Sequence, residues 1–451
     1  MSAVRRAASA AALAVGAMIA AGAATDAPGR LGGPATVDVD GTNAFSLPLP
    51  GLSREDRRAF SVGNALFRDN WVVAPASAEG RDGLGPLFAA SSCSACHAED
   101  GRGLPPVGDG SASAGWIVLV SPHARDGEAH PVYGRQLQDH AVPGVRPEVR
   151  VRVDPVREHG RYADGTPFEL ERWKISPEEP GYGPLGEVRL SLRVGPQLVG
   201  GGLLEAVDDA TILAREDPQD RDGDGISGRA HRLAVGGRVG RFGWKASQAT
   251  LEDQVQAAFS EDMGITSPLF PAEVLTDSQS GSVREPSGGS PEVDAHKVSR
   301  VAHYCRTLAV PAQRAPDDPR VALGRQAFMR AGCAACHVPE LRSGDTSPVA
   351  ALRGAVFRPF TDLLLHDMGE GLADGRRDGD ASGREWRTPP LWGIGLVPTV
   401  NGHSRYLHDG RARSLEEAVL WHGGEAQRSR DAFVAMPEEE RRALLAFLAS
   451  L

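Results

Sequence analysis

The chain is poor in cysteine, in aromatic residues and in long apolar runs, holding five cysteines and 6% aromatics in 451 residues. So few cysteines exclude a disulfide-stapled scaffold. Beyond residue 23 no apolar stretch is long enough to cross a bilayer, so no membrane span is expected. Positive charge is also short, with 49 Lys and Arg against 59 Asp and Glu for a net −10, which makes nucleic acid an unsuitable partner. What the chain has in excess is 54 Gly and 33 Pro, so turns and loops must build much of it.

The few cysteines are not scattered. Four of the five fall in two copies of one pattern, Cys93-Ser94-Ala95-Cys96-His97 and Cys333-Ala334-Ala335-Cys336-His337. Cysteines three apart share one face of a helical turn, where two thiols can add to the vinyl groups of one porphyrin while the following imidazole binds its iron. The expectation is two covalently attached c-type haems, with His97 and His337 as iron ligands. A four-cysteine zinc site or two disulfides are the competing readings, but neither requires a histidine directly after each pair. Cys305 is left over and reads as a buried apolar thiol.

Residues 1–23 read as an export signal, with Arg5 and Arg6 before an apolar run from Ala7 to Ala21 and the cleavage site Ala21-Gly22-Ala23. No cysteine follows that run, so a lipid anchor is unsupported. A periplasmic protein is expected, with redox chemistry as its leading function.

The length exceeds one ordinary domain, and the sequence repeats itself. Before the first haem motif a helix capped by Ser53 carries Gly63 and Phe67; before the second, a helix opened by Asp318-Pro319 carries Gly324 and Phe328. Downstream, Trp244 to Val255 parallels His408 to Val419, with Thr250 and Ser414 as helix caps and Asp253 and Glu417 three residues on. Val149, Val151 and Val153 alternate with arginines, and Leu190, Leu192 and Val194 with polar residues, as half-buried strands do. The fold class expected is mainly α, with two cytochrome c-like haem domains and a β-rich insertion in the first. The boundaries are a signal at 1–23, an extended segment at 24–52, haem domain one at 53–276 with its insertion at about 130–205, a linker and connecting helix at 277–310, and haem domain two at 311–451.

At these residues the chain resembles the bacterial di-haem cytochrome c peroxidase and MauG superfamily, most closely its di-haem oxidoreductase branch. The resemblance runs from about residue 55 to the C-terminus, apart from the insertion and the linker. It implies that hydrogen peroxide reacts at the N-terminal haem and that the C-terminal haem handles electrons. A tryptophan between the haems, a glutamine ten residues on and an acid before Met-Gly complete the family pattern; here they fall on Trp244, Gln254 and Asp262, with Glu261 as understudy. In the family the second axial ligand of the C-terminal haem lies fourteen residues beyond the histidine of His-Asp-Gly. From His408-Asp409-Gly410 that count reaches His422, a histidine where relatives usually have methionine, and a lower potential follows.

His422 lies seven residues after Leu415, and the equivalent count from Leu251 lands on Ala258; the resting-state distal histidine of the peroxidases corresponds to Ser113. The first iron is therefore expected to keep an open sixth site, unless His123, His130 or His140 swings in. Met368 competes for the second iron; His366 reads as bonding a propionate or a backbone carbonyl, and Arg405 and Arg411 as propionate partners. Asp220, Asp222 and Asp224 have the spacing of a calcium loop, although His231 stands where its closing glutamate belongs.

The function expected is a peroxidase-type oxidoreductase fed by a small redox protein or other donor. A MauG-like oxidase or oxygenase acting on a partner protein or organic substrate, with the insertion as docking surface, is the alternative. A purely electron-transferring di-haem cytochrome is the third reading. The resemblance also allows a homodimer.

Overall fold

The computed structural model describes residues 29–78, 80–105, 115–281 and 287–451. The export signal and Ser113 therefore lie outside the described residues. Among these residues no helix is long and apolar enough to cross a membrane.

The labelled elements run β1 (Thr36–Val37), α1 (Arg54–Arg68), β2 (Trp116–Pro122), β3 (Gln136–Leu137), β4 (Arg150–Arg161), β5 (Pro167–Glu178), β6 (Val188–Val194), α2 (Leu251–Met263), α3 (Ala295–Arg306), β7 (Val310–Pro311), α4 (Pro319–Arg330), α5 (Leu415–Leu420), α6 (Gln427–Ala435) and α7 (Glu438–Ser450). Helix accounts for 31% and strand for 18%, in several small sheets, which overturns the mainly α expectation. The cause is local: abundant Gly and Pro keep helices short, and the residues between the first haem motif and α2 alternate in burial instead of following a helical period.

The repeated glycines explain how each unit closes. α1 crosses α3 at Gly63, where a methyl group would collide with the carbonyl of Arg300; α4 crosses α7 at Gly324, where it would collide with the carbonyl of Ala443. Only hydrogen fits between the backbones. One turn beyond each glycine a phenylalanine meets the haem-motif histidine at the same ring separation, 6.3 Å for Phe67–His97 and 6.3 Å for Phe328–His337.

β2 lies between β3 and β6 in an antiparallel sheet, pairing Val118 with both Leu137 and Leu192. Val118, Val120, Leu192 and Val194 fill its buried face. β4 and β5 form a twelve-residue antiparallel hairpin from Arg150↔Glu178 to Arg161↔Pro167. One end is held by buried Val149, Val151 and Val153. The other reaches across to the last helices: Tyr162 donates to Glu416 (2.6 Å), Trp173 to the carbonyl of Asp409 (2.9 Å), and Arg413 and Arg441 pair with Glu169 and Asp164. Arg441 also covers the Tyr162 ring at 3.9 Å. The N-terminal segment is tied in as well, since β1 pairs in parallel with β7 and Leu31 and Phe45 are fully buried.

Filling either glycine crossing is expected to cost stability. Gly63→Ala and Gly324→Ala should each destabilise by about 1–3 kcal/mol through overpacking, read as a lower denaturant midpoint, while Ala→Gly changes at exposed helix positions cost less.

Candidate haem sites

One cavity of about 900 Å³ runs through the molecule, lined by Cys93, Cys96, His97, Cys333, Cys336, His337 and His422. The four motif cysteines do not gather into one metal group, and all are unpaired, so neither the zinc nor the disulfide reading fits the described residues. The first motif forms a single helical turn, Cys93–Cys96, capped by Ser92; the second forms a 3-10 turn, Cys333–Ala335, entered through the left-handed Gly332.

The imidazoles are prepared in one way. Nδ1 of His97 lies 2.8 Å from the carbonyl of Pro196, that of His337 2.9 Å from Phe360, and that of His422 2.8 Å from Ala418. A carbonyl can only accept, so each Nδ1 carries the proton and each Nε2 keeps a lone pair. Burial holds all three below the ordinary histidine range, His337 down to about 4 with His422 beside it also lowering it. These are neutral imidazoles, each with a lone pair that could bind a metal.

His337 and His422 face each other with ring centroids 6.4 Å apart. Two imidazoles bound about 2 Å from one metal ion, ring centres about 1 Å further back, would stand about 6 Å apart. His97 differs: its ring neighbour is Phe67, and no second imidazole stands as near among the described residues. His130 is spent on the Leu185 carbonyl and the amides of Val132 and Tyr133, His140 pairs with Asp139 against Phe88, and His123 is exposed. None of the three lines the cavity.

Buried cations show that the cavity suits an anionic cofactor. Arg102 and Arg387 are each 94% buried or nearly so, and their guanidinium bonds go to backbone carbonyls: Arg102 to Leu407, Arg387 to Gly243 and Thr388. Burial depresses both to about 10, and Nε of Arg102 has no partner. Haem propionates would supply the missing charge. Arg405 and Arg411, the pair named from the sequence for this role, are bonded instead to Glu171 and Asp409. His366 is likewise neither on a carbonyl nor free for a propionate. It is clamped between Asp362 (2.8 Å) and Glu425 (2.7 Å), whose carboxylates raise it well above the histidine range.

Trp244, Gln254, Glu261 and Asp262 all line the cavity. Trp244 donates to the carbonyl of Val194 (2.8 Å), two residues before the carbonyl that holds His97, with Arg102 over its ring at 5.3 Å. A second tryptophan, unmarked by any sequence pattern, stands in the same cavity: Trp386 stacks on His408 at 3.7 Å, with Lys245 over its ring. Asp262 sits at the end of α2, where its carbonyl accepts from Ala89 and Ala90 on the approach to Cys93. Burial pushes its carboxyl up to about 7, with the neighbouring Glu261 adding to the rise and Gln136 opposing it. Glu261 is nearest a cation, Arg135, at 3.8 Å. Asp220, Asp222 and Asp224 converge in an exposed loop, where their carboxylates accept the backbone amides of Gly225, Asp224 and Ile226 respectively; His231 is turned inward onto the Lys245 carbonyl.

A family model described as di-haem oxidoreductase, putative peroxidase, matches residues 26–121 and 185–451. The chain belongs to this family. It is thus a di-haem oxidoreductase, and its matched segments contain both haem motifs and His422. Between them, residues 122–184 hold β3 and the β4–β5 hairpin. No curated protein and no solved structure matches this di-haem oxidoreductase.

The unequal surroundings of the two motifs lead to a spectroscopic expectation. The ferric protein should show one high-spin and one low-spin haem by electron paramagnetic resonance. His422→Met should change only the low-spin signal and raise that haem's potential by about 0.1–0.3 V, within the ~0.8 V range that axial ligands command.

Proposed function

We propose that this di-haem oxidoreductase is a periplasmic peroxidase, exported by residues 1–23, which reduces hydrogen peroxide at the haem held by Cys93, Cys96 and His97. The observation that carries the reading is the asymmetry of the cavity: His337 has His422 across from it, whereas the pocket of His97 offers a buried carboxyl group, Asp262, and, among the described residues, no second imidazole. Haem held by Cys93, Cys96 and His97 would supply redox chemistry toward peroxide, and haem held between His337 and His422 would store and relay electrons.

The protein's own residues handle protons and position. Asp262, balanced near neutral pH, can take a proton from one peroxide oxygen and return it to the other, the placement that general acid–base catalysis needs. Arg102 and Arg387 would anchor propionates, and the cysteines would bind the porphyrin covalently. Trp244, fixed through its indole N–H, lies beside the segment that holds His97, where it would serve electron transfer between the two sites. In total, peroxide takes two electrons and two protons and yields two waters; the electrons come from a small reduced redox protein or other donor. The oxidase reading drew on the insertion as a docking surface for a partner. That surface is instead spent in good part on the chain's own last helices.

Turnover of peroxide with a reduced donor tests the reading. A carboxylate acting as base is active above its pKa and lost below it, so the rate should rise with pH through about 7. Asp262→Asn should remove that limb and lower kcat by about 10²–10⁴-fold while both haem spectra persist. A wholly low-spin protein indifferent to peroxide and cyanide would instead be an electron carrier.

A further inference from the structure

The amide that touches Asp262 comes from outside the family-matched segments. Gln136, on β3, donates from Nε2 to Oδ1 of Asp262 (3.1 Å) and to the carbonyl of Glu261 (3.1 Å). The Glu261 carbonyl can only accept, so the orientation of the amide is fixed, and its Oε1 is left unpartnered. Gln138, two residues on and therefore on the same face of the strand, donates to the Glu261 carbonyl as well (2.7 Å). Behind it, the buried carboxyl group of Glu148 accepts from the backbone N–H of Gln138 (2.7 Å) and from the Gln279 side chain. Gln136, Gln138, Glu148 and Gln279 are all at least nine-tenths buried. Burying four polar side chains is costly unless their bonds are needed, and the bonds of Gln136 and Gln138 converge on the last turn of α2.

Gln254 cannot share that work. It precedes Asp262 by eight residues, about 12 Å along a helix axis. Helical side chains also lean toward the N-terminus, which carries Gln254 away from Asp262 and toward Gly243.

We infer that Gln136 is the positioning residue of the first haem pocket: its amide N–H holds one oxygen of Asp262 and leaves the other to exchange protons with peroxide. This rests on the reading of Asp262 given above. The bond favours the carboxylate form, so without it the group should hold its proton to higher pH. The other charged groups around Asp262 are Glu261, with Arg135, Asp378, Arg376 and Arg193 acting on it; Cys93 and Cys96 lie near as well, and covalent attachment to porphyrin would take them out of titration. A change at Gln136 leaves all of them in place.

The test compares Gln136→Met, which keeps length without a donor, and Gln136→Asn, which keeps the amide but cannot reach, with Asp262→Asn and the double variant Gln136→Met with Asp262→Asn. Peroxide kcat, KM and pH profile are read together with the rate of cyanide binding to the ferric protein, which needs proton uptake from HCN. Both single changes at Gln136 should lower kcat by about 10–100-fold with KM within about twofold. They should move the acid limb to higher pH, slow cyanide binding in proportion, and add nothing to the loss caused by Asp262→Asn. Multiplying effects, an unmoved limb, or failure of both variants to load haem would make Gln136 merely structural and overturn the inference. An undiminished Asp262→Asn enzyme would instead overturn the reading of the pocket.

Discussion

Everything proposed for this molecule depends on three bonds from imidazole Nδ1 to a main-chain carbonyl. They fix the tautomer of His97, His337 and His422, and burial keeps each ring uncharged. An imidazolium has no lone pair for iron. The carbonyls come from unlike places: a loop after β6, the segment beyond the second motif, and the last full turn of α5. The duplicated units therefore reach the same ligand chemistry through different local backbone.

Asymmetry enters at the paired helices α2 and α5. Both begin on a hydroxyl cap, Thr250 bonded to the Asp253 amide and Ser414 to the Glu417 amide. α5 then stops at Leu420, and the two glycines after His422 let the chain turn away with that imidazole facing His337. α2 continues to Met263, so the matching position is Ala258 and the helix ends on Asp262. One helix leads to an imidazole that faces His337; the other ends in an acid. A difference in length of about two turns separates the two pockets in this way.

Much of this was legible in the sequence because its physical cause is local. Cys-x-x-Cys-His needs one turn, a cap needs three residues, and the glycines at 63 and 324 stand out because the same phenylalanine follows each. The mainly α expectation failed because strands of two residues, such as Gln136–Leu137, leave no alternation to read, and sheet partners come from far along the chain. For the same reason Gln136 was invisible: nothing near it indicates the end of α2, 126 residues away. The arginines misled in the opposite sense. Arg405 and Arg411 looked poised for propionates, yet they meet carboxylates of this chain, while Arg102 and Arg387 have none and read like surface residues until their burial is known.

The β4–β5 hairpin also bears on how the molecule comes to exist. Its tyrosine and tryptophan donate to Glu416 and Asp409 and its Asp164 pairs with Arg441, so a segment made in the first half of synthesis waits for nearly the whole chain to emerge before these contacts form. Until then α5, which leads into His422, lacks one of its walls. Assembly of the second site is thus coupled to completion of the polypeptide, and a chain cut short before α7 would lose the Arg441 anchor along with the helix that crosses Gly324.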